Sequence, residues 1–560
     1  MPPMAQSIMT VTYSEHDKHY HIMRIVITFF LTLLIAISGK AKDLTIHVKE
    51  AGNLVNQIDI SKVEEIDSLT ISGDLNGTDI LVIRKMQYLT YLDMRDVNIV
   101  SGGQSYGSFE IYDYDTQKWK QYDLYTADNS IGRDFFSNYN PITILFPNSV
   151  NKIGGHCFYV NKKSVVITLG KNIVEIEDKA FDGILLEDIN FPDSLTTIGT
   201  ESFSNTKLTA IDLPESIQSI GIGSFSSCKN LVSVSFSSSI KCISSYSFSG
   251  CNNLSLVEIK DGVEDIGESA FSGCESLEHI EFPKSLIKIG KDAFSYSGLT
   301  SIEIPCNILE LGYNVLSHCK KLKQVEICDG YTPLEIVDIP TNAQSLNVFQ
   351  ESPIQEIYLG RNFKGLVGSV WSNDFSSFFS RSLEKATIGE SVTEIGVQMF
   401  DATSIKTITL PNVQVISSLA FGNCTELKEL ILGEHPCSIG SSAFCGYTPN
   451  CNLQKIVCNS KTPPSFVTGD WNPTFCNKTY RNAVVYVPSG CREIYLSSDW
   501  SHFSNILEID NLSSCEETMN DKEMIESITS ISGYHIINTS VKELTNGIYI
   551  INGKKTLINR

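Results

Sequence analysis

Along most of this chain, short strings of alternating apolar and polar residues return at a fixed interval. In Ser301-Ile302-Glu303-Ile304 every second side chain is apolar, and Pro305 follows. A period of two is the pattern of a strand with one buried face, and proline ends such a strand. The same string recurs as Ile211-Asp212-Leu213-Pro214, Ile280-Glu281-Phe282-Pro283 and Ile408-Thr409-Leu410-Pro411. A second apolar pair follows, as in Ile217/Ile220, Val263/Ile266 and Leu286/Ile289, and usually closes on glycine (Gly199, Gly221, Gly267, Gly290, Gly396, Gly440). Glycine there predicts a turn or a close backbone approach. An Ala-Phe or Ser-Phe step comes next, then a closing leucine such as Leu208, Leu231, Leu254, Leu277 or Leu299.

The phenylalanines at Phe158, Phe181, Phe203, Phe225, Phe248, Phe271 and Phe294 are 22 or 23 residues apart, and Phe421 holds the same slot in a later copy. One such unit cannot bury its own apolar side, so repetition at this period predicts a solenoid of short parallel strands. Equivalent residues then lie over one another in internal ladders of Ile, Phe and Leu. The ladder positions are structural and are not available for chemistry.

A further slot, three residues after the ring, holds Cys228, Cys251, Cys274, Cys319 and Cys424, but Thr206, Ser297 and Thr403 in other copies. A position filled by Cys, Ser and Thr in turn wants a small buried side chain, and a free cysteine serves as one. Stacked side chains point the same way, which opposes disulfide geometry, so these cysteines are expected to be unpaired thiols. Cys445, Cys451, Cys458 and Cys476 are off phase, and whether they pair stays open. No CxxC pair or HxxxH accompanies them to suggest zinc.

The consensus IxxIxxxAFxxCxxLxxIxIP resembles the BspA-like leucine-rich repeats of bacterial cell surfaces, over residues 143–510. The segment 71–103 resembles the N-terminal region that precedes these repeats in Bacteroides-type proteins, and 484–510 resembles their final coil. The irregular coils around 328–379, with rings at Phe349 and Phe379, and the expanded segment 446–480 depart from the pattern, as loops projecting from a rung would. The resemblance implies a repeat solenoid, mainly β, and adhesion to a host or matrix partner.

The termini suggest export. Met23-Arg24 precede the apolar run 25–37, and Ser38-Gly39-Lys40-Ala41 offers small residues for a cut after Ala41. The run is too short to span a bilayer and has the order of a signal peptide. Residues 1–22 are unlike a signal n-region, so translation could begin at Met23. At the other end, Gly547-Ile548-Tyr549-Ile550 and Asn552-Gly553-Lys554-Lys555 resemble the sorting tails of type IX secretion. The expected organisation is therefore a signal peptide (1–41), an N-terminal cap region with an aromatic-acidic insert (42–135), the solenoid (136–510), a linker (511–527) and a sorting-like tail (528–560). No transmembrane segment is expected in the mature chain, which is expected to be secreted or held at the cell surface.

A formal net charge of −21 opposes nucleic acid as a partner, because phosphate binding needs clustered Lys and Arg. The same charge disfavours anionic lipid and favours basic or cation-bridged partners. No nucleophile elbow, HExxH, Walker loop or dinucleotide fingerprint is present, so the chain reads as non-enzymatic, with no cofactor.

One stretch, residues 106–129, breaks the repeat. Tyr112, Tyr114, Trp119, Tyr122 and Tyr125 crowd between Asp113, Asp115, Asp123 and Asp128. Alternation of Phe109, Ile111, Asp113 and then of Trp119, Gln121, Asp123 predicts a hairpin turning at 115–117. Exposed Tyr and Trp on a rigid support suit protein or glycan binding; the alternative is a cap whose rings are buried. Two classes of function remain: a surface binding module for a host protein or glycan, or a glycan-processing enzyme or accessory on a solenoid body. A spacer without a ligand is a third reading.

Overall fold

The computed structural model describes residues 42–113, 117–137, 139, 141–158, 164–340, 348–364, 378–379, 381–446, 451–467, 473–509, 528–530, 547–551 and 554–558. The expected signal peptide, the linker, Tyr114 and parts of both irregular segments lie outside them. The chain divides into two units, one of residues up to 129 with 139–149, the other of 130–138 with 150 onward.

The first unit is built on parallel strands. β1 (Lys42–Val48), β2 (Ile66–Leu75) and β3 (Tyr91–Ile99) pair in that order, and Thr143–Leu145 pairs with β3. Leu69, Ile71, Leu92 and Met94 fill its interior. Parallel stacking therefore begins well before the repeat becomes regular in sequence. Helix α1 (Gly77–Arg84) follows β2; Asn76 caps it and Asp79 closes a capping box. The buried Asp79 carboxylate also accepts hydrogen bonds from the Leu54 and Asn76 backbone amides at 2.9 and 3.0 Å. An antiparallel ribbon of β4 (Gly102–Asp113) and β5 (Lys118–Thr126) completes the unit.

The second unit is a mainly-β parallel solenoid. One series of strands runs through Ala210–Asp212, Ser233–Ser235 and Leu256–Glu258, then Ser301–Ile304, Gln324–Ile327, Glu356–Leu359 and Lys385–Ile388, then Thr407–Leu410 to Asn505–Ile509. A second series of two-residue strands, such as Asp265–Ile266 and Lys288–Ile289, stacks on another side of the same turns. The string 280–283 is not a strand, contrary to the alternation: its backbone leaves the ladder, while Phe282 packs its ring edge-on against Phe294 at 5.8 Å.

The rings stack face to face. Phe136, Phe158, Phe181, Phe203, Phe225, Phe248, Phe271 and Phe294 follow one another at 4.9–5.5 Å. Leu316 takes the slot next, and the rings resume at Phe349, Phe379, Phe400, Phe421, Phe444 and Phe475 at 5.0–5.6 Å. The residues two before and two after the ring are left-handed in turn after turn, as at Glu201 and Asn205 around Phe203 or Asp292 and Tyr296 around Phe294. The closing glycines serve close approach: a Cβ on Gly221 would meet the Thr200 amide nitrogen at 2.3 Å.

The cysteine slot has a chemical reason beyond size. The thiols of Cys228, Cys251, Cys274, Cys319 and Cys424 each donate to the ring residue's carbonyl one turn earlier, at 2.9–3.4 Å. Thr206 and Thr403 donate instead to Phe203 and Phe400 of their own turns, at 3.0 and 2.9 Å. All five cysteines are free. Cys451 and Cys476 form a disulfide, with free Cys445 packed beside them. At the C-terminal end Trp500 is fully buried and donates its indole N–H to the Pro464 carbonyl at 2.8 Å. Three short antiparallel strands, Ile528–Ser530, Gly547–Ile551 and Lys554–Ile558, form a sheet of their own.

Candidate binding surface

The ribbon is clamped at its base to α1. The Gly77 amide donates to the Thr126 hydroxyl at 3.1 Å, the Gln104 amide to the Thr78 hydroxyl at 3.0 Å, and the Arg84 guanidinium to the Tyr106 carbonyl at 2.6 Å. Gly77 has to be glycine, because a Cβ there would lie 2.0 Å from the Gln104 carbonyl oxygen. The aromatic strands thus rise from a fixed root rather than from a loose loop.

Cross-strand register decides which rings share a face, since directly opposed residues lie on the same side and neighbours along a strand on opposite sides. Tyr112 opposes Trp119, Glu110 opposes Gln121 and Ser108 opposes Asp123 on one face. By alternation along β5, Tyr125 belongs to that face also. Phe109 opposes Tyr122 and Ile111 opposes Lys120 on the other, where Leu124 at the root is buried. The sequence-based candidates therefore do not form one platform: Tyr112, Trp119 and Tyr125 are on one side and Tyr122 on the reverse. Alternation along β5 already separates Tyr122 from Trp119 and Tyr125, whereas the side that Tyr112 joins depends on which residues pair across the turn.

Each face has its own ring contact. Tyr112 meets the Trp119 ring edge-to-face at 5.3 Å, and Phe109 stacks on Tyr122 at 5.6 Å. Trp119 nonetheless stays 65% exposed, Tyr125 56% and Tyr122 46%. Rings engaged as a buried cap would not be so open. The carboxylate of Asp113 pairs with Lys120 on the Tyr122 face.

The solenoid offers a second surface, the outward positions of its longer strands. Asp212, Ser235 and Glu258 are in register there, and so are Glu303, Glu326, Tyr358 and Thr387 in a later run. Around Glu326 this surface is partly closed. Burial, and then the carboxylates of Glu303 and Asp329, push the Glu326 carboxyl up to about 7. The Tyr358 hydroxyl donates to both Asp329 oxygens at 2.8 and 2.9 Å, and the Cys328 thiol to Glu303 at 3.2 Å. Arg361, 1% exposed, brackets the earlier coil by donating to the Cys306 and Pro305 carbonyls at 3.0 and 3.1 Å. Cys328, Asp329, Tyr358 and Arg361 come from the irregular coils, where no repeat phase singles them out, whereas Glu303 and Glu326 hold regular strand positions. Among the described residues no group of three or more His, Cys, Asp or Glu could hold a metal ion. No helix among them is long and apolar enough to cross a membrane.

No curated protein matches the chain. Among solved structures, it is similar to a leucine-rich repeat protein of Bacteroides ovatus, at 25% identity over 70% of this chain and 88% of the other, with a TM-score of 0.47. A leucine-rich repeat protein of T. pallidum is 31% identical over 26% of this chain and 71% of the other, with a TM-score of 0.25. The pneumococcal vaccine antigen PcpA is 20% identical over 72% and 88%, with a TM-score of 0.27. The family described as the BspA type leucine-rich repeat region matches residues 129–255, 196–323, 241–374 and 347–463, which together span more than half of the sequence. With its stacked rings and phased parallel strands, the chain belongs to the BspA-type leucine-rich repeat family.

Proposed function

We propose that this chain is a non-enzymatic binding protein, secreted or held at the cell surface, that recognises a host or matrix protein or a glycan. The observation that carries the reading is the pair Trp119 and Tyr125, exposed at 65% and 56% on one face of a ribbon anchored to α1. A rung's inward residues are consumed by stacking, so a partner can be met only by outward strand positions and projecting elements. Rigid aromatics add contact area at little entropic cost. Membership of a surface-repeat family, the signal-like segment ending at Ala41 and the tail with Gly547-Ile548-Tyr549-Ile550 support an extracellular place.

The full chain, screened against immobilised matrix proteins and a glycan array, tests the binding part. Tyr112→Ala, Trp119→Ala and Tyr125→Ala together should weaken a hit by at least about tenfold, with an unchanged melting temperature. Undiminished binding per folded molecule would move the partner off this face. N-terminal sequencing and a C-terminal peptide map of exported material test the route, with cleavage expected after Ala41 and loss or exchange of the tail beyond Ile528. Protein that stays in the cytoplasm with Met23 in place would defeat it.

A further inference from the structure

We infer that the Trp119 face of the ribbon takes a cationic, extended peptide: an Arg- or Lys-rich segment of a partner protein. The inference rests on the ribbon being the binding surface and adds the chemistry of what it binds.

Charge is sorted between the two faces. Glu110 and Asp123, both exposed, lie on the face with Trp119, Tyr112 and Tyr125. The cations of β5, Lys118 and Lys120, both lie on the reverse face, where Lys120 is paired with Asp113. One face is thus a strip of rings and carboxylates without an opposing cation in either strand. An anionic glycan or acidic peptide would meet uncompensated repulsion there. The chain as a whole carries a formal net charge of −21, so its long-range field attracts the same class of partner.

The spacing suits that class. Successive residues on one face of a strand are about 6.8 Å apart, and an extended peptide lying along the ribbon presents alternate side chains at the same interval. Trp119, Asp123 and Tyr125 fall on this grid along β5, with Glu110 opposite Gln121 filling the remaining rung. A guanidinium stacks on an indole or phenol face and forks onto a carboxylate, so two carboxylate rungs flanked by ring rungs offer both of its preferred contacts. Tyr112 fixes the indole of Trp119 through an edge contact at 5.3 Å while leaving that ring largely open. A neutral glycan would use the rings but has no need for carboxylates free of cations.

The test uses the full chain and an alternating Arg-Ser dodecapeptide, with a citrulline-Ser peptide of the same length and a panel of neutral oligosaccharides as the other arms. Calorimetry at 50 mM NaCl should give binding to the Arg-Ser peptide at least tenfold tighter than to the citrulline one, weakening about tenfold at 300 mM. Glu110→Gln with Asp123→Asn should cost tenfold or more, and Trp119→Ala at least fivefold. Ile111→Thr, on the reverse face, should change it less than twofold. Equal affinity for the citrulline peptide, or indifference to the Glu110/Asp123 pair, overturns the inference. Trp119-dependent binding of a neutral oligosaccharide, without binding of the Arg-Ser peptide, overturns it too but keeps the ribbon as the binding surface. Peptide binding that ignores both Trp119 and the carboxylates removes the inference and the ribbon reading together.

Discussion

Phe271 and Phe294 lie face to face, their ring centroids 5.5 Å apart and their planes 6° from parallel, although a full turn of chain separates them. Phe248 covers the other side of Phe271 at the same 5.5 Å, and all three rings are completely buried. Phe271→Ala therefore removes a ring that two neighbours cannot close over. The expected loss is ~3–5 kcal/mol, from forfeited burial plus the cavity. Because each turn touches chiefly its neighbours, amides of the adjacent turns should lose hydrogen-exchange protection first. An unchanged thermal midpoint would sink the ladder's role in stability.

Cys251 tests whether its slot needs a donor or only a small side chain. Its thiol donates to the Phe225 carbonyl at 3.2 Å in a fully buried setting. Cys251→Ser keeps a donor and should stay within ~1 kcal/mol of the parent. Cys251→Val keeps apolar bulk, removes the donor, and should cost ~1–3 kcal/mol for a buried carbonyl that loses a partner. Equal melting temperatures for the two variants would reduce the slot to packing alone.

The periodic parts of this fold are legible in sequence because one geometric demand is repeated. Phe203, Phe225 and Phe248 announce themselves by spacing, and even the rings at Phe349 and Phe379, displaced by irregular coils, stack at 5.6 Å. β1 to β3 are parallel rungs too, yet α1 and the ribbon interrupt the interval after β2 and β3, so no period survives to be read. The strand pair of the ribbon and the separation of Tyr122 from Trp119 and Tyr125 follow from alternation, whereas the sides taken by Tyr112 and Phe109 follow only from the opposition of Tyr112 to Trp119 and of Phe109 to Tyr122. Cys451 and Cys476 are brought together by coils that follow no phase, so their pairing had no sequence signal.

That disulfide closes a segment with a separation of 25 residues. Cross-linking a loop of this size restricts the unfolded chain, and Cys451→Ser should cost ~3 kcal/mol. Alkylation of the denatured, unreduced protein should modify Cys228, Cys251 and Cys274 and spare Cys451 and Cys476 until reductant is added. Peptide mapping distinguishes the sites. Protection of the three rung cysteines before reduction would show them to be paired.

Glu326 supplies a pH dependence whose sign is fixed by its surroundings. Burial, followed by the nearby carboxylates of Glu303 and Asp329, raises its carboxyl from an ordinary 4.5 to about 7 in the folded protein. Between those values the folded chain keeps a proton that the unfolded chain has released. Stability from this group is therefore full below about pH 4.5 and declines as pH rises through 7. Glu326→Gln has the same shape and no charge to bury, so it should leave stability unchanged near pH 4 and raise it by roughly 1–3 kcal/mol at pH 8. Urea melts of both proteins at pH 4, 6 and 8 measure the difference directly. A gain that is equal at all three values would assign the effect to packing, and a loss at pH 8 would mean that the ionised carboxylate is the favoured form on the strand face.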